Sequence, residues 1–457
     1  MSSSQRPPNI LFISSDQHRH DYLGASGAGF MRTPNLDALA ARGVRFTQCC
    51  TNAPVCTPAR VGLATGLQPA RLGSLDNRSY LPRSATTYYQ RLRDAGYRVG
   101  CVGKLDLAKP DKYNGRCGDR PCVFGWGFTH PEEVEGKMHA GANPTPQGPY
   151  GLLLQEKGLY AKFHEDYAAR SARGWRIGAS HDSVLPTEYF ADSYIGRRSA
   201  EWIESIPDDF PWHLFVSFVG PHDPFDPPTE YADRYRDAAV PEPVSDEMTG
   251  KPRWVAGRRE PGTAEQVAET RRQYCASTEL IDAEVGRILD ALERRGMAGN
   301  TFVIYSSDHG EMLGDHGLYH KSCAYEAALR VPLICAGPGI AAGGTSDALV
   351  ELIDVNPTIC ELAGLPPQER IDARSIGAVL RGESESHRSE TVSALRGFRC
   401  VRSDRWKYIE NYNDVDELYD LAEDPCELRS LAADQPKRCR EMRALMVRRY
   451  EEGQWRR

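Results

Sequence analysis

The chain predicts an α/β protein: a large, mostly parallel sheet flanked by helices, followed by a smaller C-terminal α+β subdomain made of an antiparallel sheet plus a helix. Three observations carry that prediction. Continuous apolar runs of strand length, such as Asn9-Ile10-Leu11-Phe12-Ile13-Ser14-Ser15, lack polar alternation and fit strands covered on both faces. These runs alternate with amphipathic stretches of helical period, the pattern of strand–helix–strand units. After residue 380 the pattern changes to short runs separated by tight turns.

The elements follow in order. Thr33-Pro34-Asn35 starts a helix through Leu36, Leu39 and Ala40, with proline in the first turn and Gly43 near the stop. Val44-Arg45-Phe46 reads as a short strand, and a helix beginning near Pro58 carries Arg60 and Leu63. Thr86 to Ala95 reads as a helix closed by Gly96, and Tyr97 to Val102 as a strand. Residues 109–190 are rich in Gly, Pro and aromatics with little periodicity, and are expected to form a variable insertion or lid. Its aromatics Trp126, Tyr150, Tyr160 and Trp175 fit loop packing better than sugar stacking. A helix from Tyr189 to Ile206, a strand from Trp212 to Val219 and a Pro-rich charged loop over 226–262 come next. Thr263 to Arg295 is a long helix closed by Gly296, Thr301 to Ser307 repeats the first strand's design, and Val331 to Ala336 is a further strand. Runs at 391–394, 398–401 and 406–409 predict antiparallel strands before a closing helix. The expected division is a main α/β domain over 1–380 and a subdomain over 381–457.

The bulk numbers exclude several classes. The 457 residues, 40% apolar and 26% charged, are those of an ordinary globular chain. A net charge of -7 weighs against nucleic acid as the main partner. No apolar run reaches the length of a membrane span, so no membrane partner is expected. The start Met1-Ser-Ser-Ser-Gln-Arg-Pro-Pro lacks the layout of a secretory signal, and the odd count of 13 Cys fits a reducing compartment, so a cytoplasmic location is expected. Cys117, Cys122, Cys323 and Cys360 read as structural or incidental. Oligomeric state is not legible.

Chemistry is expected where strands end, because ligands of open α/β sheets sit at the carboxyl ends of the strands. Two strands end alike in Ser-Ser-Asp plus a ligand-capable residue, giving Asp16-Gln17 and Asp308-His309. Singly, each fits a turn or a helix cap. Together they predict one divalent-metal site assembled from distant segments. The oxygen-rich set makes Ca²⁺ the leading expectation, and the imidazole leaves Mn²⁺ open. His222, in Gly220-Pro221-His222-Asp223-Pro224, also follows a strand and is a candidate acid. Lys104 and Lys321 are candidate anion partners.

The run Cys56-Thr57-Pro58-Ala59-Arg60, then Val61-Gly62-Leu63-Ala64-Thr65-Gly66, decides which chemistry to expect. Alone, the pentapeptide also fits a buried structural thiol. With its small-residue continuation it resembles the sulfatase family of the alkaline-phosphatase-like superfamily, near the arylsulfatase and phosphonate monoester hydrolase branch. Pro8 to Gln17, Ser307 to Leu318, Val401 to Tyr408 and Glu417 to Leu421 carry the resemblance over nearly the whole chain. It implies a sulfuric ester hydrolase in which Cys56 is oxidised to formylglycine by a formylglycine-generating enzyme during maturation. It also implies metal ligation by Asp16, Gln17, the modified Cys56, Asp308 and His309. Arg60 would hold the formylglycine hydrate, Lys104 and Lys321 the anion, and His222 would protonate the leaving alcohol of a small-molecule or saccharide sulfate. Asn77 is a weaker candidate for the anion. One departure stands out: the family's Lys-x-His is Lys104-Leu105-Asp106 here, so Asp106 replaces a histidine and would repel sulfate unless paired with Lys104 or Lys109. A phosphonate monoester or phosphodiester hydrolase, and an inactive anion- or glycan-binding homologue, remain as alternatives.

Overall fold

A computed structural model describes residues 7–109, 122–174, 177–260 and 262–452. Nine strands form one sheet: β1 (Asn9–Ser15), β2 (Gly43–Cys50), β3 (Arg98–Gly103), β4 (His130–Glu133), β5 (Trp212–Ser217), β6 (Thr301–Ser307), β7 (Arg330–Ala336), β8 (Gly344–Ser346) and β9 (Val350–Glu351). The spatial order is β4-β3-β5-β1-β6-β7-β2-β8, with β9 paired to β2 beyond β8. β1 runs parallel to both β5 and β6. β7 alone runs against its neighbours β6 and β2.

The apolar runs are explained by what covers each face. Alternate residues of a strand point to opposite sides. Leu11, Ile13, Val216 and Tyr305 face one core with Ile195, Ile281 and Ile288, from the helices Ala191–Ser205 and Ala264–Arg294. Ile10, Phe12, Phe215 and Ile304 face the other core with Val61 and Leu92. Those two belong to α2 (Cys56–Thr65) and α3 (Tyr88–Asp94), which follow α1 (Pro34–Ala41) in the chain. Each such fully buried side chain contributes roughly 1.5–3 kcal/mol. Thr87 and Thr263 each form a reciprocal capping box with the glutamine three residues on, fixing the starts of α3 and the long helix.

A second sheet of four antiparallel strands contains β10 (Thr391–Leu395), β11 (Phe398–Arg402), β12 (Trp406–Asn411) and β13 (Glu417–Asp420). Met442 and Met446 of the closing helix Pro436–Glu452 cover one face. Phe398, Cys400 and Ile409 pack with Met312, Leu318 and Tyr325 of the main body.

The expected fold class is therefore the observed one. The stretch 109–190, expected as a variable insertion or lid with little periodicity, is more regular than that pattern. It adds β4 to the sheet edge and forms the helices Lys137–Ala142, Pro149–Glu156 and Tyr160–Ala172. Tyr150 and Tyr160 are buried among Phe163, Tyr167 and Tyr194, so these aromatics are packing residues. Trp175 and Cys117 lie outside the described residues. The described cysteines are all free thiols. Among the described residues, no helix is long and apolar enough to cross a membrane.

Candidate active site

The register of the central strands assembles the site. β1 and β6 pair with Ser14 opposite Ser306 and Ser15 opposite Ser307. Asp16 and Asp308 therefore leave the sheet side by side, and the Gln17 N–H donates to Asp308 Oδ1 at 3.1 Å. Gln17 takes φ +73°, a left-handed conformation that costs a non-glycine residue on the order of 1 kcal/mol. Its neighbours hold it there.

Cys56 is the first residue of α2 and is fully buried. Its Sγ lies 3.3 Å from His309 Nε2 and 3.8 Å from Asp16 Oδ1. Asp16, Cys56, Asp308 and His309 each direct one ligand atom inward, all within 4.8 Å of one another. His309 Nδ1 donates to the Gly310 carbonyl at 3.0 Å, which leaves the Nε2 lone pair facing the group. Burial works against a charge on His309, but Asp308 and Cys56 outweigh it and raise its pKa. Two carboxylates, a thiol and an oriented imidazole in a buried cluster fit a divalent cation. Gln17, the fifth expected ligand, has its amide engaged elsewhere: Oε1 accepts from Lys321, and Nε2 donates to Glu311 and, at 3.3 Å, to Asp223.

Arg60 lies one turn into α2. Its Nε donates to Asp308 at 2.8 Å and its Nη2 to Asp16 at 3.2 Å. Nη1 bonds the Lys104 carbonyl and Ser217 Oγ, both at 2.7 Å. Among the described residues none of its hydrogen bonds goes to Cys56. With residue 56 a thiol, the guanidinium braces the two carboxylates.

Lys104 is set by the end of β3. Gly103 has φ +114°, and a Cβ there would lie 2.0 Å from the Ser217 carbonyl oxygen, so only glycine lets β3 close on β5 at this point. Lys104 Nζ then reaches Asp16 at 2.5 Å and Asp106 at 3.2 Å. Lys109 adds a contact to Asp106 at 3.1 Å, so the unexpected carboxylate is paired with both lysines. Burial opposes charge on Asp106, yet Lys104, Lys109 and Arg60 hold its carboxyl well below the usual range. The same balance acts on Cys56. Burial and Asp16 push the thiol up, and Lys104, Lys321 and Lys109 pull it further down, well below an ordinary thiol.

His222 donates from Nδ1 to the Asp223 carbonyl at 2.6 Å, and its Nε2 faces Lys321 Nζ at 2.7 Å. Asp223 is also 3.1 Å from His320, whose pKa burial would lower but Asp223 raises to about 9. Asn77 accepts the Thr57 N–H at 3.0 Å, which satisfies a free donor at the start of α2. A cavity of about 650 Å³ opens here, with Asn77, Lys104, His222 and Lys321 in its lining. Residues 136–139, within the 109–190 stretch, form one wall.

Sequence reasoning missed Ser217, Asp223, Arg258, Glu311 and His320. Asp223 and Glu311 sat inside motifs already singled out, each next to or two residues from a candidate. Ser217 and Arg258 had no local signal.

Comparison with known proteins agrees with this geometry. The family model described as Sulfatase matches residues 8–365, and one described as N-sulphoglucosamine sulphohydrolase, C-terminal, matches 314–454. The chain is 31% identical over 452 residues to a choline-sulfatase of Rhizobium meliloti (strain 1021), covering 93% of this chain and 82% of that protein. It is 27% identical to an arylsulfatase of Clostridium perfringens (strain 13 / Type A), covering 97% and 94%. It superposes on the crystal structure of the phosphonate monoester hydrolase of Agrobacterium radiobacter with a TM-score of 0.82 at 25% identity, over 98% of this chain and 96% of that one. The paired strand ends, the helix-borne Cys56 and the match over most of the chain have one meaning: this protein belongs to the sulfatase family, the hydrolases of sulfuric ester bonds.

Proposed function

We propose that the protein cleaves an organic sulfate ester to an alcohol and sulfate, using a formylglycine made from Cys56. The observation that carries this is the placement of Cys56: fully buried, at the head of α2, with its Sγ 3.3 Å from His309 Nε2 inside the donor cluster.

The chemistry follows from the groups in place. A hydrated formylglycine carries two hydroxyls on the carbon that bears Sγ in the unmodified residue. One hydroxyl, having lost its proton to water, attacks sulfur, and the ester's bridging S–O bond breaks. Lys321 Nζ donates to His222 Nε2 over 2.7 Å, and this pair would supply a proton to the departing alkoxide. The second hydroxyl then loses its proton, its oxygen forms the C=O bond, and the C–O bond to the sulfo group breaks, releasing sulfate. Water restores the hydrate. Covalent catalysis thus divides one hard displacement into two easier steps. Asp106, in the position of the family's histidine, would accept the second hydroxyl's proton, while Lys104 holds charge on the sulfo oxygens.

Asp16, Asp308, His309 and the modified residue 56 would hold a divalent cation, with Gln17 joining them if its amide turns from Lys321. When bound, the cation supplies Lewis-acid polarisation of the sulfo oxygens. The carboxylate oxygens favour Ca²⁺, and the imidazole admits Mn²⁺.

A second reading, a phosphonate monoester hydrolase, is favoured by the structural match to such an enzyme together with the Gln17 and His309 pair. Side-by-side hydrolysis of 4-nitrophenyl sulfate and a 4-nitrophenyl phosphonate monoester, with Cys56→Ala as control, separates them. Sulfate turnover in excess, lost in the variant, is the expected result. Dominant phosphonate turnover would replace it with the second reading. Intact mass reports the conversion: formylglycine makes the chain lighter by about 18 Da, the difference between the thiol lost and the aldehyde gained at one side chain.

A further inference from the structure

We propose that the organic part of the substrate carries its own negative charge, and that Arg258 binds it. The inference rests on the sulfate-ester reading above and names its substrate class. Besides His320, which is paired with Asp223, five cationic side chains line the cavity: Lys104, Lys109, Lys137, Arg258 and Lys321. Four of them are already committed. Lys104 and Lys109 pair with Asp106, and Lys137 pairs with Asp226 at 2.8 Å. Lys321 belongs to the sulfate end, against His222 and Gln17.

Arg258 is different. Its Nη1 donates to the Ser322 carbonyl at 3.0 Å and its Nη2 to the Lys321 carbonyl. It forms no ion pair with a carboxylate among the described residues. Two carbonyls orient the guanidinium and leave its full charge on the cavity wall, where five donors in a planar fork suit a carboxylate or a sulfo group. The rest of the lining is consistent with an anion and not with a cation. Its one carboxylate, Asp223, is taken up by His222 and His320. Among the described residues no Phe, Tyr or Trp, whose faces hold quaternary ammonium groups, lines the cavity. Lys321 and Arg258 thus offer two cationic groups on the wall of one pocket.

The test compares kcat/KM for 4-sulfooxybenzoate, its methyl ester and 4-(trimethylammonio)phenyl sulfate, in wild type, Arg258→Gln and Arg258→Lys. The methyl ester releases the more acidic phenol, so leaving-group chemistry alone favours it over the carboxylate. The expected wild-type preference is for the carboxylate by about 10–100-fold, the worth of one charge-assisted pair, with the ammonium ester poorest. In Arg258→Gln the carboxylate-to-ester ratio falls toward one, mainly through KM, and Arg258→Lys recovers part of it. The bis-sulfate of hydroquinone, preferred as strongly as the carboxylate, would identify the ligand as any anion; a preference confined to the carboxylate would identify a carboxylate. A wild-type preference for the neutral or cationic ester, or a ratio unmoved by Arg258→Gln, overturns the inference. Calorimetric binding of the same esters to Cys56→Ala reads the pocket without turnover. If no ester is hydrolysed but the carboxylate binds at least about tenfold more tightly than the methyl ester, the hydrolase reading fails and this one stands; equal binding sinks this one alone.

Discussion

The ammonium of Lys104 lies between Asp16 at 2.5 Å and Asp106 at 3.2 Å, so one cation serves both a carboxylate of the donor cluster and the carboxylate at the end of β3. Asp106 is held charged by this arrangement and has φ +54°. Asp106→Asn keeps the shape and removes the charge. Lys104 and Lys109 then lose a shared partner, and stability falls by about 1–3 kcal/mol in urea unfolding, because a buried charge is left less compensated. The same change makes the site more positive, so inorganic sulfate inhibits the variant roughly tenfold more strongly. Inhibition that is unchanged or weaker would show that Asp106 does not face the anion.

Arg60 joins Asp16 to Asp308 through separate nitrogens of one guanidinium. Arg60→Lys preserves the charge but not the fork. Metal affinity should drop by about 10–100-fold, measured by competition with a chelator, since the groups that orient ligands tune a site nearly as strongly as the ligands do. Stripping the metal from wild type should lower its thermal midpoint more than in Arg60→Lys, because less binding free energy is coupled to folding in the variant.

His222 matters in proportion to how badly the leaving group needs a proton. His222→Gln should cut kcat by about 10²–10⁴-fold for an alkyl sulfate. For 4-nitrophenyl sulfate, whose phenolate departs readily unprotonated, the loss should be far smaller. Equal losses on both substrates would assign His222 to binding instead of proton transfer.

Acid stability should be set in part by His213, buried on β5 with Nδ1 near the Ile10 carbonyl and its ring against Tyr88 and Tyr89. Burial lowers its pKa to about 3, against 6.5 for the free side chain. The unfolded chain takes the proton below pH 6.5, while the folded one refuses it until about pH 3. The stabilisation is therefore complete above pH 6.5 and is lost as pH falls through that window, by about 1.4 kcal/mol per unit. His213→Phe should flatten the decline by that slope when unfolding is measured at pH 7.5, 5.5 and 4.5. A decline as steep as wild type would mean that other buried histidines, such as His18 (pKa lowered by burial to about 4), carry it.

Much of this was legible because strand ends announce themselves. The repeated Ser-Ser-Asp predicted that Asp16 and Asp308 meet, and they do, since identical endings on adjacent parallel strands share a register. The partners of Arg60 were not legible. Spacing placed it one turn from Cys56, but the direction of a long side chain is decided by partners such as Ser217 and the Lys104 carbonyl, far away in sequence. Residues 137–172 hid their helices for a related reason. Tyr150, Phe163 and Tyr167 pack in a cluster shared with the main sheet, so the apolar surface wraps more than one side of each short helix and blurs the period. Arg258 was silent because an isolated arginine in a charged loop looks the same whether it faces solvent or a cavity.

The order of the strands also sets a clock. β1 is complete early in synthesis, but β6, its neighbour in the sheet, carries the other half of the donor cluster, and 253 residues separate Cys56 from His309. At roughly 5–20 residues per second, the ribosome needs about 13–50 s to cover that distance. During that interval the thiol has no His309 or Asp308 to enclose it, whereas in the finished fold it is wholly shut away. If Cys56 is converted as proposed, the catalyst that oxidises it would meet it most readily on a growing or newly released chain, and the yield of modified protein would be a race between modification and folding.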